Sequence, residues 1–451
     1  MATSLASFRH GVHPTEHKEP TSGLPIQRLG FVERYLLPLS QHLGAPSKPI
    51  VVVGQEVARG QRIAEPGGFV STSLHSPVRG RVVAIEPRRL PTGAIGPAIE
   101  IAADSFDPQQ PPPPPPGPFE EPDVDELVAG VRDAGIVGLG GAAFPTHVKY
   151  KLPDGRRAHT LVINGAECEP WLTCDHRLML ERSRAVAEGI KLVAAALEVG
   201  QALVGIEANK LDAVRALQAA LRAMPGGPPV QVRPVRVKYP QGGEKMLIEA
   251  LTGAQVPGGK LPLHIGVVVN NVGTMAALAD WFLRGQPLIE RVVTVSGPGI
   301  ARPANLLVPL GTPVRAVLEA CGGLPEDARM VIMGGPMMGQ PLASVDVPVV
   351  KGTSGLLVFR EGDLSSPEEL ACIRCGRCLE ACACFLNPST LGRLARKERW
   401  EDMRALNLLD CMECGACSWA CPSRIPLVQQ FRVAKAQLRR IDALKKQRGG
   451  A

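Results

Sequence analysis

Two stretches, CIRCGRCLEACAC at residues 372–384 and CMECGACSWACP at residues 411–422, decide how the C-terminal part of this chain folds. Each stretch contains four cysteines in the spacing CxxCxxCxxxC. The chain has 451 residues and 12 cysteines, and nine of them lie between Cys372 and Cys421. Secreted proteins stabilised by disulfides are usually short and spread their cysteine pairs through the fold. Dense cysteines at short, fixed spacing in a long chain instead indicate metal ligands in a reducing compartment.

The spacing is that of bacterial ferredoxins, which hold two [4Fe–4S] clusters. A tight loop can bring three thiolates to three corners of one cubane. The fourth thiolate, at the following helix, cannot bend back and reaches the other cluster instead. We therefore predict two crossed ligand sets, Cys372, Cys375, Cys378 and Cys421 for the first cluster and Cys382, Cys411, Cys414 and Cys417 for the second. Cys384 is the alternative to Cys382, and the spacing favours Cys382.

A different interpretation of the same cysteines is a pair of zinc knuckles in a scaffold without catalytic activity. Zinc also binds four thiolates, but usually from two separated CxxC pairs. Two identical runs of four cysteines therefore favour iron–sulfur clusters.

The remaining sequence is that of a multidomain chain with aliphatic cores. Hydrophobic residues make up 45% and aromatic residues only 4%. No run of 18 apolar residues is present, so a membrane-spanning helix is not expected, and the N-terminus lacks the apolar stretch of a secretory signal. The formal net charge of +7 does not by itself predict nucleic-acid binding.

Four domains are predicted from the pattern of turns, strands and helices. Residues 1–110 contain short β-type runs, including 51–53 and 82–85, and look like a biotinyl/lipoyl-type barrel-sandwich without the carrier lysine. A polyproline linker follows at 111–118. Strands and helices alternate in 119–290, which predicts a Rossmann-like α/β domain with helices near 123–134, 182–198, 211–224 and 244–251. Residues 291–350 are β-rich, and residues 351–451 form the helical ferredoxin-type domain with a basic C-terminal helix.

A glycine-rich loop, GIVGLGGAAFPTHVKY at residues 135–150, is the candidate for a phosphate-binding site. Iron–sulfur clusters carry one electron at a time, so a two-electron donor needs a flavin as intermediary. The loop follows a helix, whereas the dinucleotide fingerprint requires a preceding strand. Its backbone N–H groups and the cation of Lys149 nevertheless form a possible phosphate cradle, the alternative being a plain glycine turn.

Three further segments follow that loop in order, INGAECEPWLTCDHR at 163–177, YPQGGEKMLIEALTG at 239–253 and VNNVGT at 269–274. This set resembles the flavin-bearing, NADH-oxidising subunit of respiratory complex I. It resembles more closely the RnfC family, a peripheral component of the Rnf (Rsx) complex. The likeness extends from GVHPTEHK near the N-terminus through VIMGGPMMG at 331–339 to CPSRIPLVQQFR at 421–432, and it implies that residues 291–345 form a β-grasp module.

The resemblance implies binding roles for 14 residues. In complex I a second acid follows the glutamate that corresponds to Glu244, whereas Lys245 follows it in this chain. The implied residues are Gly138, Gly140, Gly141 and Lys149 at the FMN phosphate, Phe144 facing the nicotinamide dinucleotide, Asn164, Glu167 and Glu169 in a second FMN loop, Gly242, Gly243 and Glu244 in the nicotinamide-nucleotide loop, and Asn270, Asn271 and Thr274 around FMN.

The same resemblance implies an NAD(H)-dependent oxidoreductase with FMN and two [4Fe–4S] clusters, in which the cofactors and no catalytic side chain carry out hydride transfer. It implies a peripheral location on the cytoplasmic side of a bacterial inner membrane. Its partners would be the membrane subunits of the complex and, through them, ferredoxin. The alternative is a stand-alone reductase of the same build, similar to cobalamin reductase.

Overall fold

The computed structural model of this chain describes residues 5–113, 121–153, 155–364 and 368–449. Most of the predicted polyproline linker lies outside the described residues, which include only 111–113 of it. The described chain forms a β-sandwich module, a parallel α/β domain, a mixed β module and a helical domain that carries the cysteine loops. The predicted fold class is therefore confirmed.

The N-terminal module packs two small antiparallel sheets against each other. Its elements are α1 (Glu19–Ser22), β1 (Ile26–Arg28), β2 (Arg34–Pro38), β3 (Lys48–Pro49), β4 (Glu56–Val57), β5 (Arg62–Glu65), β6 (Leu74–His75), β7 (Gly80–Arg89) and β8 (Ile95–Ala103). One sheet has the order β2-β8-β7-β4 and the other β3-β5-β6. The predicted strand at 82–85 lies in β7, but the one at 51–53 was wrong. Val52 and Val53 are exposed, and Gly54, at φ +90°, turns the chain there.

The α/β domain is built on four parallel strands. Its elements are α2 (Val124–Asp133), α3 (Thr146–Tyr150), β9 (Thr160–Gly165), α4 (Cys174–Glu181), α5 (Ser183–Ala196), β10 (Gln201–Glu207), α6 (Leu211–Arg222), β11 (Val230–Val235), α7 (Glu244–Thr252), β12 (Val267–Asn271) and α8 (Val272–Arg284). The strand order is β11-β10-β9-β12. The chain therefore proceeds outward from β9 to β10 and β11, and then returns to place β12 on the other side of β9. The predicted helices near 123–134, 182–198, 211–224 and 244–251 are all present, whereas α4 and α8 were not predicted.

Helices cover both faces of this sheet, which explains its continuous apolar strands. In β9, Leu161 and Ile163 face the cluster formed with α5 and α8, while Val162 faces α7 on the other side. The sheet is thus buried on both faces, and its strand ends are the accessible part.

The third module is a mixed sheet with one helix on it. Its elements are β13 (Glu290–Ser296), β14 (Ala304–Pro309), α9 (Val314–Ala320), β15 (Ala328–Met333), β16 (Gln340–Pro341) and β17 (Gly355–Arg360). The strand order is β1-β14-β13-β17-β15-β16. The sheet therefore includes two strands, β1 and β17, from outside the predicted module range 291–350.

The C-terminal domain consists of short helices around the cysteine loops and one long helix. These are α10 (Arg377–Ala381), α11 (Pro388–Ala395), α12 (Trp400–Ala405), α13 (Ala416–Trp419) and α14 (Leu427–Gly449). Leu391, Met403 and Phe431 are buried at the centre of the domain. Within the described residues, no helix combines the length and the apolar character needed to cross a bilayer.

An N-terminal arm, residues 5–18, joins these modules. Ala6 pairs with Val235 at the end of β11, and Val12 pairs with Tyr239. The ammonium of buried Lys18 donates to the backbone carbonyls of Glu167 and Glu169, at 2.9 Å each. The arm thus holds loops that leave two strands of the parallel sheet.

Lys351 is a second buried lysine that joins modules. Its Nζ donates to the carbonyl oxygens of Ser73 (2.8 Å) and Gly135 (2.6 Å), so three modules meet at one ammonium group. Burial lowers the pKa of Lys351 to about 7 from its usual 10.5.

We predict that Lys351→Met destabilises the chain by roughly 1–3 kcal/mol, because two buried carbonyls lose their donor. Between pH 7 and 10.5 the unfolded chain binds a proton that folded Lys351 does not. The stability contributed by the wild-type lysine is therefore fully present above the unfolded pKa and is lost as the pH falls through about 7. Thermal unfolding should show a larger gap between variant and wild type at high pH. Exposed Lys260→Met is the control, and equal melting temperatures for Lys351→Met would contradict the prediction.

Candidate functional site

The carboxyl ends of β9 and β12 form the crevice of the α/β domain. Open parallel sheets bind ligands where neighbouring strands lead their connections to opposite sides. Asn164 lies near the end of β9, and Asn270 and Asn271 end β12, the adjacent strand. Three residues that the resemblance singled out therefore lie at this switch point.

The glycine loop lies beside this crevice and is held by α8. The N–H of Leu139 donates to the hydroxyl of Thr274 at 3.1 Å, and the N–H of Gly138 donates to the carbonyl of Phe144 at 2.8 Å. Gly141 has φ +109° and no heavy atom within 4 Å of the position a Cβ would take. The loop is thus fixed at its base and open above Gly141, as a phosphate cradle requires.

Lys149 lies close to the switch point as well. Its Nζ donates to the carbonyl of Val269 at 2.9 Å and lies 3.4 Å from the carboxylate of Glu244. The side chain is 26% exposed, so its ammonium group is available to an anionic ligand.

The loop before α7 completes the carboxyl edge of the parallel sheet. The Asn164 amide donates to the carbonyl of Gly242 at 2.8 Å. A Cβ on Gly242 would lie 2.4 Å from the carbonyl oxygen of Ala166, so only glycine fits there. Gly243 precedes the first turn of α7, where free N–H groups favour an anion.

Unpaired polar atoms identify the part of this edge that suits a polar ligand. Gln241 is fully buried, and neither atom of its side-chain amide has a hydrogen-bond partner within the described structure. Asn270 Nδ2 is likewise without a partner there. Buried polar atoms need partners, and FMN offers phosphate, hydroxyl and ring donors and acceptors. The residues therefore fit the group. Sequence reasoning missed Gln241, although it belongs to the quoted YPQGG segment.

Two acids of the predicted FMN loop bind protein groups instead of facing an open site. The Glu167 carboxylate accepts the N–H of Asp175 at 2.9 Å and so caps α4. The Glu169 carboxylate accepts the N–H groups of Met337 (3.0 Å) and Met338 (2.8 Å), and burial raises its pKa to about 7. Their visible role is to hold the loop against α4 and the mixed sheet.

The two cysteine loops have the same backbone conformation. Arg374 and Glu413 have φ near +56° and +59°, and Gly376 and Gly415 have φ near +79° and +77°. Left-handed residues on both sides of the second cysteine curl each loop, which turns thiols and amides toward a common centre. The repeated spacing is therefore a repeated structure.

Neighbouring thiols raise one another's pKa around both loops, while the crossed ligand sets stay a prediction. Burial raises the pKa of Cys378, and its neighbours Cys421, Cys372 and Cys375 raise it further. Burial also raises the pKa of Cys417, the additional neighbours being Cys411, Cys414 and Cys382. Mutual repulsion of this kind needs a cationic centre to stabilise the thiolates, which iron supplies. The described residues contain no group of three or more His, Cys, Asp or Glu side chains suited to a single metal ion.

Cys382 and Cys384 both line a small cavity together with Cys411, Cys414 and Cys417. Cys382, and not Cys384, is among the neighbours that raise the pKa of buried Cys417. In addition to burial, however, Cys384 raises the pKa of Cys411, and Cys382 and Cys384 both raise the pKa of Cys414. The preference for Cys382 as the fourth ligand therefore remains a prediction from the spacing.

The second cysteine loop touches the loop before α7 directly. The Tyr239 hydroxyl donates to the carbonyl of Cys414 at 2.6 Å, and the Met412 side chain lies against Gly243. Lys245, which departs from the complex I pattern, lies 3.9 Å from Asp410, next to Cys411. We call the set with Cys382, Cys411, Cys414 and Cys417 the inner cluster site.

The first cysteine loop is at the surface. Cys372 and Cys375 are exposed, and Ile373 between them is 69% exposed. We call the set with Cys372, Cys375, Cys378 and Cys421 the outer cluster site.

The basic C-terminal helix supports the inner site. Lys435 is buried and pairs with Glu413 at 3.0 Å, and Arg432 lies 3.3 Å from the same carboxylate. Part of the predicted basic surface is therefore internal, while Arg439, Arg440 and Lys446 remain exposed.

Profiles of four protein families match successive parts of the chain. They describe an RnfC barrel sandwich hybrid domain at residues 6–106, a Nuo51 FMN-binding domain at 131–280, an SLBB domain at 292–341 and a 4Fe-4S dicluster domain at 368–425. These descriptions agree with the FMN and iron–sulfur chemistry that the residues predict.

Curated relatives match over nearly the full chain. The C subunit of the proton-translocating ferredoxin:NAD(+) oxidoreductase complex of Clostridium ljungdahlii is 43% identical over 436 residues, 96% of this chain and 94% of that protein. The Na(+)-translocating counterpart of Acetobacterium woodii is 41% identical, with 97% and 98% covered. The C subunit of the ion-translocating oxidoreductase complex of Rhodobacter capsulatus is 42% identical, with 96% and 83% covered. This chain therefore belongs to the RnfC family of oxidoreductase complex subunits and carries an FMN-binding domain and a 4Fe-4S dicluster domain.

Proposed function

We propose that this chain is the peripheral subunit through which an ion-translocating ferredoxin:NAD oxidoreductase complex exchanges electrons with NAD(H). Hydride would pass between NAD(H) and FMN at the switch point, and single electrons between FMN and the two [4Fe–4S] clusters. The observation that supports the proposal is the contact of Tyr239 with Cys414, in which the second cysteine loop touches the loop before α7.

The chain's own residues would bind and orient the reactants. The N–H groups of the glycine loop and the Lys149 ammonium would hold the phosphate of FMN, while Asn164 and Asn270 would meet its polar groups. Phe144 and the loop at 242–244 would position the dinucleotide. When bound, FMN supplies the exchange between two-electron and one-electron chemistry. The protein contributes orientation and exclusion of water.

The positions of the two cluster sites suggest an order of electron transfer. The inner site adjoins the nucleotide loop through Tyr239 and Met412, whereas the outer site lies at the surface around Ile373. We propose that the inner cluster exchanges electrons with FMN and that the outer cluster exchanges them with a partner.

The names of the relatives support the assignment of partners. They describe a subunit of ion-translocating complexes, so we propose membrane subunits as direct partners and ferredoxin as an indirect one. The proposed location is the cytoplasmic side of the bacterial inner membrane. Exposed Arg439 and Arg440 on α14 would suit anionic lipid or an acidic subunit.

Purification without oxygen, followed by assays of FMN, iron and sulfide and by NADH titration, tests the proposal. We expect one FMN, about eight iron atoms in two clusters, and bleaching of both chromophores by NADH. A colourless preparation, or one that contains zinc in place of iron, would refute the proposal. Co-purification with membrane subunits separates it from a stand-alone reductase.

We predict that Lys149→Ala loses FMN but keeps its iron, because its ammonium group lies at the switch point, where its partners are Val269 and Glu244. Flavin fluorescence after denaturation and iron assays measure the two contents. Exposed Lys151→Ala, two residues away, is the matched control and should keep both. Full FMN content in Lys149→Ala would show that this lysine does not hold the phosphate.

The proposed order predicts different results for the two cluster sites. Cys378→Ala should lose about half of the iron, while NADH still reduces the inner cluster. Cys417→Ala should also lose about half, but there NADH should reduce only the flavin and leave the outer cluster oxidised. Low-temperature EPR after NADH addition distinguishes the outcomes.

Cys384→Ser is the control for these variants and should keep both clusters. Loss of the inner cluster in this variant would instead identify Cys384 as the ligand. Rapid reduction of the outer cluster by NADH in Cys417→Ala would contradict the proposed order of electron transfer.

A further inference from the structure

The proposed function releases a proton at the flavin but gives it no route to solvent. The proton path described below rests on that function. Each hydride taken from NADH becomes two electrons and one proton when its electrons pass to iron–sulfur clusters. The clusters accept the electrons but no proton. The proton must therefore reach solvent by another path, and the reverse reaction must take one up.

A polar cavity of about 290 Å³ starts at the glycine loop. It lies between α4, α8 and β13. Leu139 and Gly273 line one end, next to the switch point, and Arg182, Asp280 and Glu290 line the other. The volume and the polar walls suit several water molecules.

Asp175 lies at the inner end of this cavity. Its carboxylate accepts a hydrogen bond from the Asn271 side chain at 2.6 Å. A Cβ on Gly140 would lie 3.6 Å from the same Asn271 amide. Asp175 is therefore one side chain away from the glycine loop and in contact with the cavity.

The groups around Asp175 allow its carboxyl to exchange a proton near neutral pH. Burial and the negative charge of Glu167 raise its pKa to about 7, against the opposing charges of Arg291 and Lys18. Cys174, which precedes Asp175 on the same helix, also lines the cavity. A group with a pKa near the working pH both accepts and donates protons readily.

Arg291 keeps this end of the cavity in place. The side chain is buried, and it donates to the carbonyls of Leu139 (3.0 Å) and Thr353 (3.3 Å). It therefore connects the glycine loop to the mixed sheet across the cavity. At the outer end, Arg182 forms two hydrogen bonds to Asp280, at 2.7 and 3.0 Å.

We propose that Asp175 and the cavity beside α8 form the proton exit of the flavin site. In the forward direction the Asp175 carboxylate accepts the proton that remains when two electrons leave for the clusters. It then passes the proton to water in the cavity, which conducts it past Asp280 to solvent. In the reverse direction the same groups bring a proton in, so atoms and charge balance both ways.

The test is anaerobic stopped-flow mixing of the holoprotein with NADH, with a pH indicator in weak buffer. Flavin bleaching, cluster bleaching and proton release are recorded separately. In Asp175→Asn we expect cluster bleaching and proton release to slow at least about tenfold relative to flavin bleaching. In the wild type these phases should slow as the pH falls through about 7, because protonated Asp175 cannot accept. In the variant this pH dependence should disappear.

A second variant tests the cavity without changing any titratable group. Ala277 lines the cavity, and Ala277→Leu should fill part of it and slow proton release in the same way. Asp346→Asn, an exposed carboxyl on the mixed sheet, is the control and should match the wild type.

Infrared pH-difference spectra supply a readout that does not depend on turnover. Asp175→Asn should lose part of the carboxyl signal that titrates near neutral pH, with Glu169 accounting for the rest. Wild-type ratios of proton release to flavin bleaching in both cavity variants would overturn the inference. Failure of NADH to bleach the wild-type flavin would instead refute the proposed function.

Discussion

A cubane needs four thiolates, and a tight CxxCxxC loop can supply only three of them. We therefore propose that each loop takes its fourth ligand from the end of the other cysteine run. The left-handed residues beside Cys375 and Cys414 curl both loops alike. The short helices α10 and α13 lie side by side. With crossed ligand sets, the two proposed cluster sites would follow one another from the interior of the molecule to its surface.

The position of the inner site depends on contacts that join three separate parts of the chain. Tyr239 pairs with Val12 of the N-terminal arm and also donates to the carbonyl of Cys414. Electron transfer needs short distances, and the loop that we propose to bind the nucleotide also touches a cysteine loop, which would bring the two chemistries together. The N-terminal arm therefore contacts the boundary between the α/β and cysteine domains.

Buried charges hold this multidomain arrangement together and also serve its chemistry. Lys18 and Lys351 use backbone carbonyls from different modules as acceptors, which compensates the cost of burying an ammonium group. Glu167 and Asp175 lie together near the switch point, and burial and the charge of Glu167 raise the pKa of Asp175. Interior polar groups in this aliphatic protein therefore lie where modules or ligands meet.

The sequence by itself determined the parallel sheet and predicted the cluster ligands, because the alternation of apolar runs and the spacing along a short loop are local properties. Helix α8 escaped prediction because it follows β12 without a turn and its first eight residues are all buried, so no turn or polar face marks where it begins. Only the tertiary structure decided that Glu167 caps α4, that the inner cluster site adjoins Tyr239, and that Asp175 lines a cavity. Each of these facts depends on contacts between segments that lie far apart in the sequence, and no local pattern encodes which segments will meet.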